Sequence, residues 1–314
     1  MKLSVVTPAF NEAENLPALY TRVAAAMATL GVDWEWLIVD DHSRDDTFGV
    51  IAALARQDGR VRGIRLARNS GSHVAITCAL HHAAGDAAVM MAADLQDPPE
   101  TIRAMLEQWR NGAHIVWAVR RERPGEQAHA SFAAVYYWMM RRVVGMTEMP
   151  ERGADFFLVD RAVLTAFRGF PERNASVLAL ITSLGFRQAS IEYDKQERVA
   201  GRSGWTLARK IKLVADSLIG YSALPIRLCS YAGVALAALA AAVGVAGLVF
   251  LPELSGGLLL LLGVILGLGG VQLLAIGVLG EYLWRTLDEA RRRPLYVVEA
   301  TAGLTGSGAI TRVE

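Results

Sequence analysis

Two long apolar runs in the C-terminal third constrain this chain more than any other feature. From about Leu228 to Phe250 the sequence is almost unbroken Leu, Ala, Val and Gly. After Leu251-Pro252-Glu253-Leu254-Ser255 a second run goes from Gly256 to about Leu283. Each run reaches the roughly 20 residues that cross a bilayer core. Neither carries the polar stripe of a helix lying on a soluble protein. The connection allows only a tight turn, so the expectation is an antiparallel hairpin of two membrane spans, 228–250 and 256–283, within a membrane segment 228–284. Arg227 precedes the first span, and Arg285, Arg291, Arg292 and Arg293 follow the second, while the turn holds no Lys or Arg. The positive-inside rule then puts both flanks in the cytosol. Gly263 and Gly267 have the small-x-x-x-small spacing that lets helices approach closely, which fits a homo-oligomer.

The residues before these runs point to the same side of the membrane. Met1-Lys2-Leu3-Ser4-Val5-Val6-Thr7-Pro8 has neither a long apolar core nor a cleavage site, so it does not read as a signal peptide. The expectation is an integral protein of the inner (plasma) membrane with its globular part and both termini in the cytosol. Cys78 and Cys229 are the only cysteines and lie far apart, as in a reducing compartment without a disulfide framework or thiolate metal site. A formal net charge of +1 gives no footprint for a nucleic-acid partner. Just before the first run, Leu207, Ile211, Val214 and Leu218 recur at helical spacing beside Arg209, Lys210 and Lys212. This predicts a basic amphipathic helix at the membrane surface, in a juxtamembrane segment 201–227.

Upstream, residues 1–200 alternate between two periodicities. Short apolar runs at 3–7, 36–39, 61–66, 87–91 and 115–119 predict five strands. Helical patterns fall between them at 15–30, 50–57, 73–84 and 99–109, the first opened by Asn15-Leu16-Pro17. Such alternation predicts an α/β, Rossmann-like, mostly parallel sheet with helices on both faces. Sheets of this kind bind ligands at the carboxyl ends of their strands. The polar clusters fall at those ends: Asn11-Glu12, Asp40-Asp41 and Asp94-Leu95-Gln96-Asp97. Asp94 and Gln96, two apart in an extended segment, would point to the same side and could share one divalent ion. A turn leading into the Pro98-Pro99 helix start is the plainer reading of the same residues. His81 and His82, adjacent on a helix, face different ways and are poor metal ligands.

At these clusters the sequence resembles a known family. Thr7-Pro8-Ala9-Phe10-Asn11-Glu12 and Ile38-Val39-Asp40-Asp41-His42-Ser43-Arg44-Asp45-Asp46-Thr47 are similar to the opening motifs of family 2 glycosyltransferases with the GT-A fold. Arg68-Asn69-Ser70-Gly71, Ala93-Asp94-Leu95-Gln96-Asp97-Pro98-Pro99-Glu100, Gly153-Ala154-Asp155-Phe156 and Arg202-Ser203-Gly204-Trp205 look like the polyprenyl-phosphate sugar transferases among them. That group includes dolichol-phosphate mannose synthase and the bactoprenol glucosyltransferases, and the resemblance extends over the whole chain, the apolar runs included.

The resemblance implies a cytosolic GT-A domain at 1–200 and a C-terminal tail at 285–314. It also implies Mg²⁺ or Mn²⁺ at Asp94 and Gln96, a nucleotide-sugar donor and a polyprenyl-phosphate acceptor in the membrane. Pro8 and Phe10 would wall the base pocket, with core packing as the other reading of Phe10. Asp40 would accept from the base, Glu12 would lie near base or ribose, and Asn69 and Gly71 would join the nucleotide site. Asp155 matches the family's catalytic aspartate. Arg121, Arg198, Arg202, Ser203 and Lys210 would meet the acceptor phosphate. Two positions depart from the pattern: Ala92 stands where a first acid is common, and His42 where Gly is usual. A phosphate acceptor has a second pKa of about 6 and is largely ionised at neutral pH, so Asp155 is needed more for positioning than as a base. Glucose is the favoured sugar, with N-acetylhexosamine, mannose and aminoarabinose donors open. A non-catalytic membrane sensor of nucleotide sugars is the competing class.

Overall fold

The computed structural model describes residues 1–121, 131–142, 144–146, 149–150, 155–170, 176–196, 214, 217, 222, 224–250, 254–291 and 293–304. The chain divides into two compact units, Met1–Lys210 with Pro294–Glu314, and Ile211–Arg293.

The first unit is built on one eight-stranded sheet. In chain order the strands are β1 (Lys2–Ala9), β2 (Asp33–Asp40), β3 (Val61–Leu66), β4 (Ala87–Met90), β5 (Ile115–Arg120), β6 (Phe156–Asp160), β7 (Gln188–Tyr193) and β8 (Val298–Ala302). Across the sheet they run β7-β5-β6-β4-β1-β2-β3-β8. β1 pairs parallel with β2 and β4, β2 with β3, and β5 with β7, while β6 and β8 run against their neighbours. The central strands are buried on both faces, which is why β1 and β2 read as nearly continuous apolar runs rather than alternating ones.

Helices cover both faces: α1 (Leu16–Leu30), α2 (Thr47–Gln57), α3 (Ser72–His82), α4 (Ile102–Arg110), α5 (Ser131–Arg142), α6 (Arg161–Arg168) and α7 (Val177–Ser183). Leu16, Leu19, Val23 and Met27 of α1 are buried at the expected spacing, in one core layer with Leu3, Val5, Trp36 and Ile38. The other layer seats Ala75, Ile76 and Ala79 of α3 with Val6, Val39 and Ile64. All five expected strands and four expected helices are present. The last of these helices opens with a 3₁₀ turn, Pro99–Thr101, because Pro98-Pro99 removes donors before α4 begins.

Three strands lie outside the sequence expectation. β6 enters antiparallel between β4 and β5. β7 closes one edge, and β8, drawn from residues beyond the second apolar run, closes the other beside β3.

The second unit contains α8 (Leu224–Phe250) and α9 (Leu254–Ala290), which pack on one another. Tyr282 donates to the Ser222 carbonyl at 2.8 Å. Within α9, Gly263–Ala290 is long and apolar enough to cross a membrane by length and composition, its most apolar 18 residues having a mean hydropathy of 2.0. Among the described residues it is the single helix to meet that measure; Ile226–Leu236 of α8 is a shorter apolar stretch. The paired span expected at 228–250 therefore passes to the proposal below.

Candidate active site

The polar clusters share a backbone device. Asn11, His42 and Leu95 are the non-glycine residues with positive φ among the described residues, at 57°, 58° and 63°. They follow β1, β2 and β4, which lie side by side as β4-β1-β2. A left-handed residue costs roughly 1–2 kcal/mol when it has a Cβ, and such outliers concentrate at functional sites. Asn11 and His42 turn the chain within two residues of their strand ends, and Leu95 does so five residues beyond β4, all at the same edge of the sheet. The His42 value also explains why Gly is usual at that position.

Short bonds stitch the β1 and β2 loops together. The Asn11 N–H donates to Ser43 Oγ at 2.9 Å, the Glu12 N–H to Thr47 Oγ1 at 2.9 Å and the Ala13 N–H to Asp45 Oδ2 at 3.2 Å. In return Asn11 Oδ1 accepts from the Arg44 N–H at 2.8 Å. Phe10 is 41 % exposed beside these loops, so the core-packing reading of that residue does not hold.

Asp40 and Asp41 divide the work of the β2 end. Asp40 is 0 % exposed. Its Oδ1 accepts from the Ser43 N–H and its Oδ2 from Arg65 Nη1, both at 2.9 Å. In this arrangement Asp40 shapes the pocket through Arg65 and the loop rather than by presenting its own carboxylate. Asp41 accepts from the Ser70 and Gly71 N–H groups, each at 2.7 Å. Burial pushes its pKa up more strongly than those two bonds pull it down, and neighbouring Asp40 adds to the rise. Gly71 has φ +94°, which frees its N–H for Asp41 as α3 begins. Asn69 Nδ2 reaches the Asp41 carbonyl at 3.3 Å. Asp41 thus anchors the 69–71 loop, which holds the two expected nucleotide residues Asn69 and Gly71.

The segment after β4 is bent rather than extended, because Leu95 is left-handed. Asp94 and Gln96 therefore do not share a side by strand alternation, contrary to the expectation from their spacing. Their link is a local turn instead, in which Asp94 Oδ1 accepts the Gln96 N–H at 3.2 Å. Gln96 Nε2 donates to the Gln196 carbonyl at 3.3 Å, which leaves its amide oxygen as the ligand-type atom. A carboxylate plus an amide oxygen is a hard donor set. It fits Mg²⁺ or Mn²⁺, which such sites bind through one or two protein oxygens, with substrate phosphates and water completing the shell. Among the described residues no group of three or more His, Cys, Asp or Glu side chains could hold a metal alone.

Asp97 is 0 % exposed and serves the backbone. It accepts from the Ala92 N–H at 3.0 Å and from the Tyr193 hydroxyl at 2.8 Å, with Lys195 Nζ at 3.9 Å. Burial raises its pKa against these contacts. Burial, and then Asp97, raise that of Tyr193.

Asp155 directly precedes β6. Because β6 is antiparallel to β4, its first residues lie at the edge where β4 ends, Phe157 opposite Met90. Asp155 is exposed there, and its charge acts on both Asp97 and Tyr193. Arg121 follows β5 at the same edge, paired with Glu192 at 3.3 Å and Asp194 at 3.2 Å. Pro8 and Glu12 lie on the β1 end, with Glu12 Oε2 accepting from Asn15 Nδ2 at 2.6 Å. Arg198, Arg202, Ser203 and Lys210, together with nearly all of the predicted amphipathic helix, lie outside the described residues. His81 and His82 pack against Tyr296 rather than into the site.

Asp41, Arg65 and Tyr193 take parts here that sequence reasoning does not assign to them. The signal for Asp41 is its position beside Asp40. Arg65 carries no sequence signal, being one of two arginines in β3.

The family model of glycosyl transferase family 2 matches residues 4–167. An uncharacterized glycosyltransferase of Synechocystis sp. is 34% identical over 312 residues, covering 97% of this chain and 96% of that one. The bactoprenol glucosyl transferase of Shigella phage SfV is 34% identical over 306 residues, covering 95% and 98%. Among solved structures, glucosyl-3-phosphoglycerate synthase from Mycobacterium tuberculosis in complex with Mn²⁺, uridine diphosphate and phosphoglyceric acid superposes with a TM-score of 0.52. It is 17% identical and covers 69% of this chain and 77% of that one. That likeness concerns the fold, which is GT-A.

Proposed function

The chain belongs to glycosyl transferase family 2, and from that premise we propose that it transfers a sugar, glucose first among the choices, from a nucleotide-sugar donor to a polyprenyl phosphate at the cytosolic face of the membrane. The observation that carries this reading is the joining, in one chain, of buried acids at the ends of β4 and β2, on either side of β1, with an apolar helix at Gly263–Ala290. The name of the phage relative, a bactoprenol glucosyl transferase matched over nearly its full length, supports both the lipid acceptor and the sugar.

In this reading the base sits against Phe10 and Pro8, between the β1 and β2 loops. Asp40 and Asp41 hold Arg65 and the 69–71 loop around it. Asp94 and Gln96 would hold Mg²⁺ or Mn²⁺, which would offset the charge that builds on the diphosphate as the glycosidic bond breaks. The acceptor phosphate is already a nucleophile, so Asp155 orients sugar and acceptor for a single in-line displacement with inversion. Arg121, Arg198, Arg202, Ser203 and Lys210 are assigned to the acceptor phosphate, with Arg121 shared with Glu192 and Asp194. The exposed apolar side chains of α9, among them Leu273, Leu274, Ile276 and Leu283, favour burial in lipid. α8 would supply the second span. Gly263 and Gly267 are exposed, and a Cβ added at either would meet no described atom within 4 Å, so they offer a close-packing face for a homo-oligomer.

The test is transfer of radiolabel from UDP-glucose, UDP-N-acetylglucosamine, GDP-mannose and UDP-aminoarabinose into the organic phase by the full chain with undecaprenyl phosphate and Mg²⁺ or Mn²⁺. Label from one donor, abolished by chelator, is expected. Nucleotide binding without transfer from any donor would favour the sensor class instead.

A further inference from the structure

β8 comes from beyond α9, yet it places a charged side chain against the donor half of the sheet. Its pairing with β3 is irregular there. Arg65 pairs with Ala300 and Leu66 with Val298, so Glu299 is the extra residue of a β-bulge. Bulges re-aim a side chain and are frequent beside active sites. Here the bulge brings Glu299 Oε2 to 2.9 Å from Arg65 Nε and 3.2 Å from His42 Nδ1.

Those two contacts lead to the β2 strand end. The same guanidinium that meets Glu299 donates from Nη1 to Asp40 and from Nη2 to the Ser43 carbonyl, at 2.9 and 3.2 Å. Asp40 is fully enclosed, so Arg65 is the outward face of that pair. His42 Nδ1 also lies 3.1 Å from the Leu66 carbonyl. Both neighbours of Nδ1 are acceptors, so Nδ1 carries a proton and Nε2 remains to meet a ligand. His42 is left-handed at the end of its strand, where a side chain costs free energy that a glycine would not.

We propose that Glu299 is a positioning residue of the donor site. It locks the Arg65 fork onto Asp40 and sets the His42 ring so that Nε2 faces the nucleotide, and His42 is the residue through which this chain tunes its choice of base. The strand beyond the apolar helices is thereby part of donor recognition. This inference rests on the donor reading above.

The test uses the full chain in detergent, with UDP and GDP plus Mn²⁺ as probes in calorimetry and UDP-glucose in kinetics. Glu299→Gln is expected to weaken binding of the preferred nucleotide on the order of tenfold, about the worth of one charge-assisted hydrogen bond. The donor KM should rise equally, with kcat at saturation unchanged. Glu299→Asp should recover part of the loss, and Glu299→Gln combined with His42→Ala should be less than additive. Thr301→Ala, on the same strand but away from Arg65, controls for loss of the strand itself. Unchanged affinity in Glu299→Gln, or an equal loss in Thr301→Ala, overturns the inference while leaving the donor reading intact. Failure of the unaltered chain to bind either nucleotide overturns both.

Discussion

The two edges of the central sheet bury acids in opposite ways. At the amino edge Glu35 of β2 is 1 % exposed, and its surroundings answer it completely. Lys2 Nζ reaches Oε2 at 2.6 Å and Arg62 Nη1 at 3.0 Å, while Ser4 Oγ and the Ala84 N–H reach Oε1 at 2.6 and 2.7 Å. Burial alone would raise its pKa, but these contacts outweigh burial and hold it below the usual value. At the carboxyl edge Asp40, Asp41, Asp94 and Asp97 are all buried. Burial wins at Asp41 and Asp97, whose pKa values are raised. Glu35, answered by two of the protein's own cations, is a structural fastening, whereas Asp41 is held by the Ser70 and Gly71 N–H groups and burial prevails there. Under the proposed function, this difference separates the edge that stabilises the sheet from the edge assigned to the reaction.

Substitutions can break this contrast. The largest effect is expected from Asp94→Ala, about a 10²- to 10³-fold loss of turnover, the scale of removing one charge-stabilising group from a transition state. Its melting temperature should stay close to that of the unaltered chain, which calorimetry checks alongside the transfer assay. Glu35→Ala should do the reverse. A stability loss of about 2 kcal/mol is expected in denaturant titration, for a buried hydrogen-bonded acid whose cationic partners can still reach water, with turnover per folded molecule unchanged.

The pH dependence sharpens the comparison further. The Glu35 pKa is lowered from 4.5 in the folded chain, so its stabilisation is present above that value and fades as pH falls through the folded pKa. The penalty of Glu35→Gln should therefore shrink on acidification. The Asp41 pKa is raised from 3.8, so its contribution is full below that value and is lost as pH rises through the folded pKa. Asp41→Asn should accordingly compare best with the unaltered chain near neutrality and worst in acid, the opposite slope. Parallel slopes from unfolding curves at pH 3.5 to 7 would break the contrast. The smallest effect is expected from Tyr193→Phe, which deletes one bond to Asp97. It should lower stability by about 1 kcal/mol and loosen the 91–97 segment, read as faster amide exchange at Ala92.

Much of this is legible in the sequence because buried parallel strands announce themselves as apolar runs ending in polar clusters. β1 to β5 and the three strand-end clusters follow from that rule, and four helices follow from the helical spacing between the runs. The strands that escape it have physical reasons. β7 is an edge strand with a single buried residue, Tyr193, and β8 alternates exposed with half-buried ones, so neither shows a core run. β6 is a short buried run, Phe156–Asp160, whose antiparallel course periodicity cannot reveal, yet that course brings Asp155 to the working edge. Spacing pairs Asp94 with Gln96 through an extended geometry that the fold does not use, since a left-handed Leu95 leaves no trace in composition. Arg65 and Glu299 are 234 positions apart, beyond the reach of any local pattern.

The most direct measurement is the label passed from UDP-glucose to undecaprenyl phosphate per folded molecule by Asp94→Ala and by Glu35→Gln, assayed side by side with the unaltered chain. Label that vanishes for Asp94→Ala and persists for Glu35→Gln is the predicted result. Equal retention in both, or loss in Glu35→Gln alone, would contradict the assignment of the transfer chemistry to the carboxyl edge of the sheet.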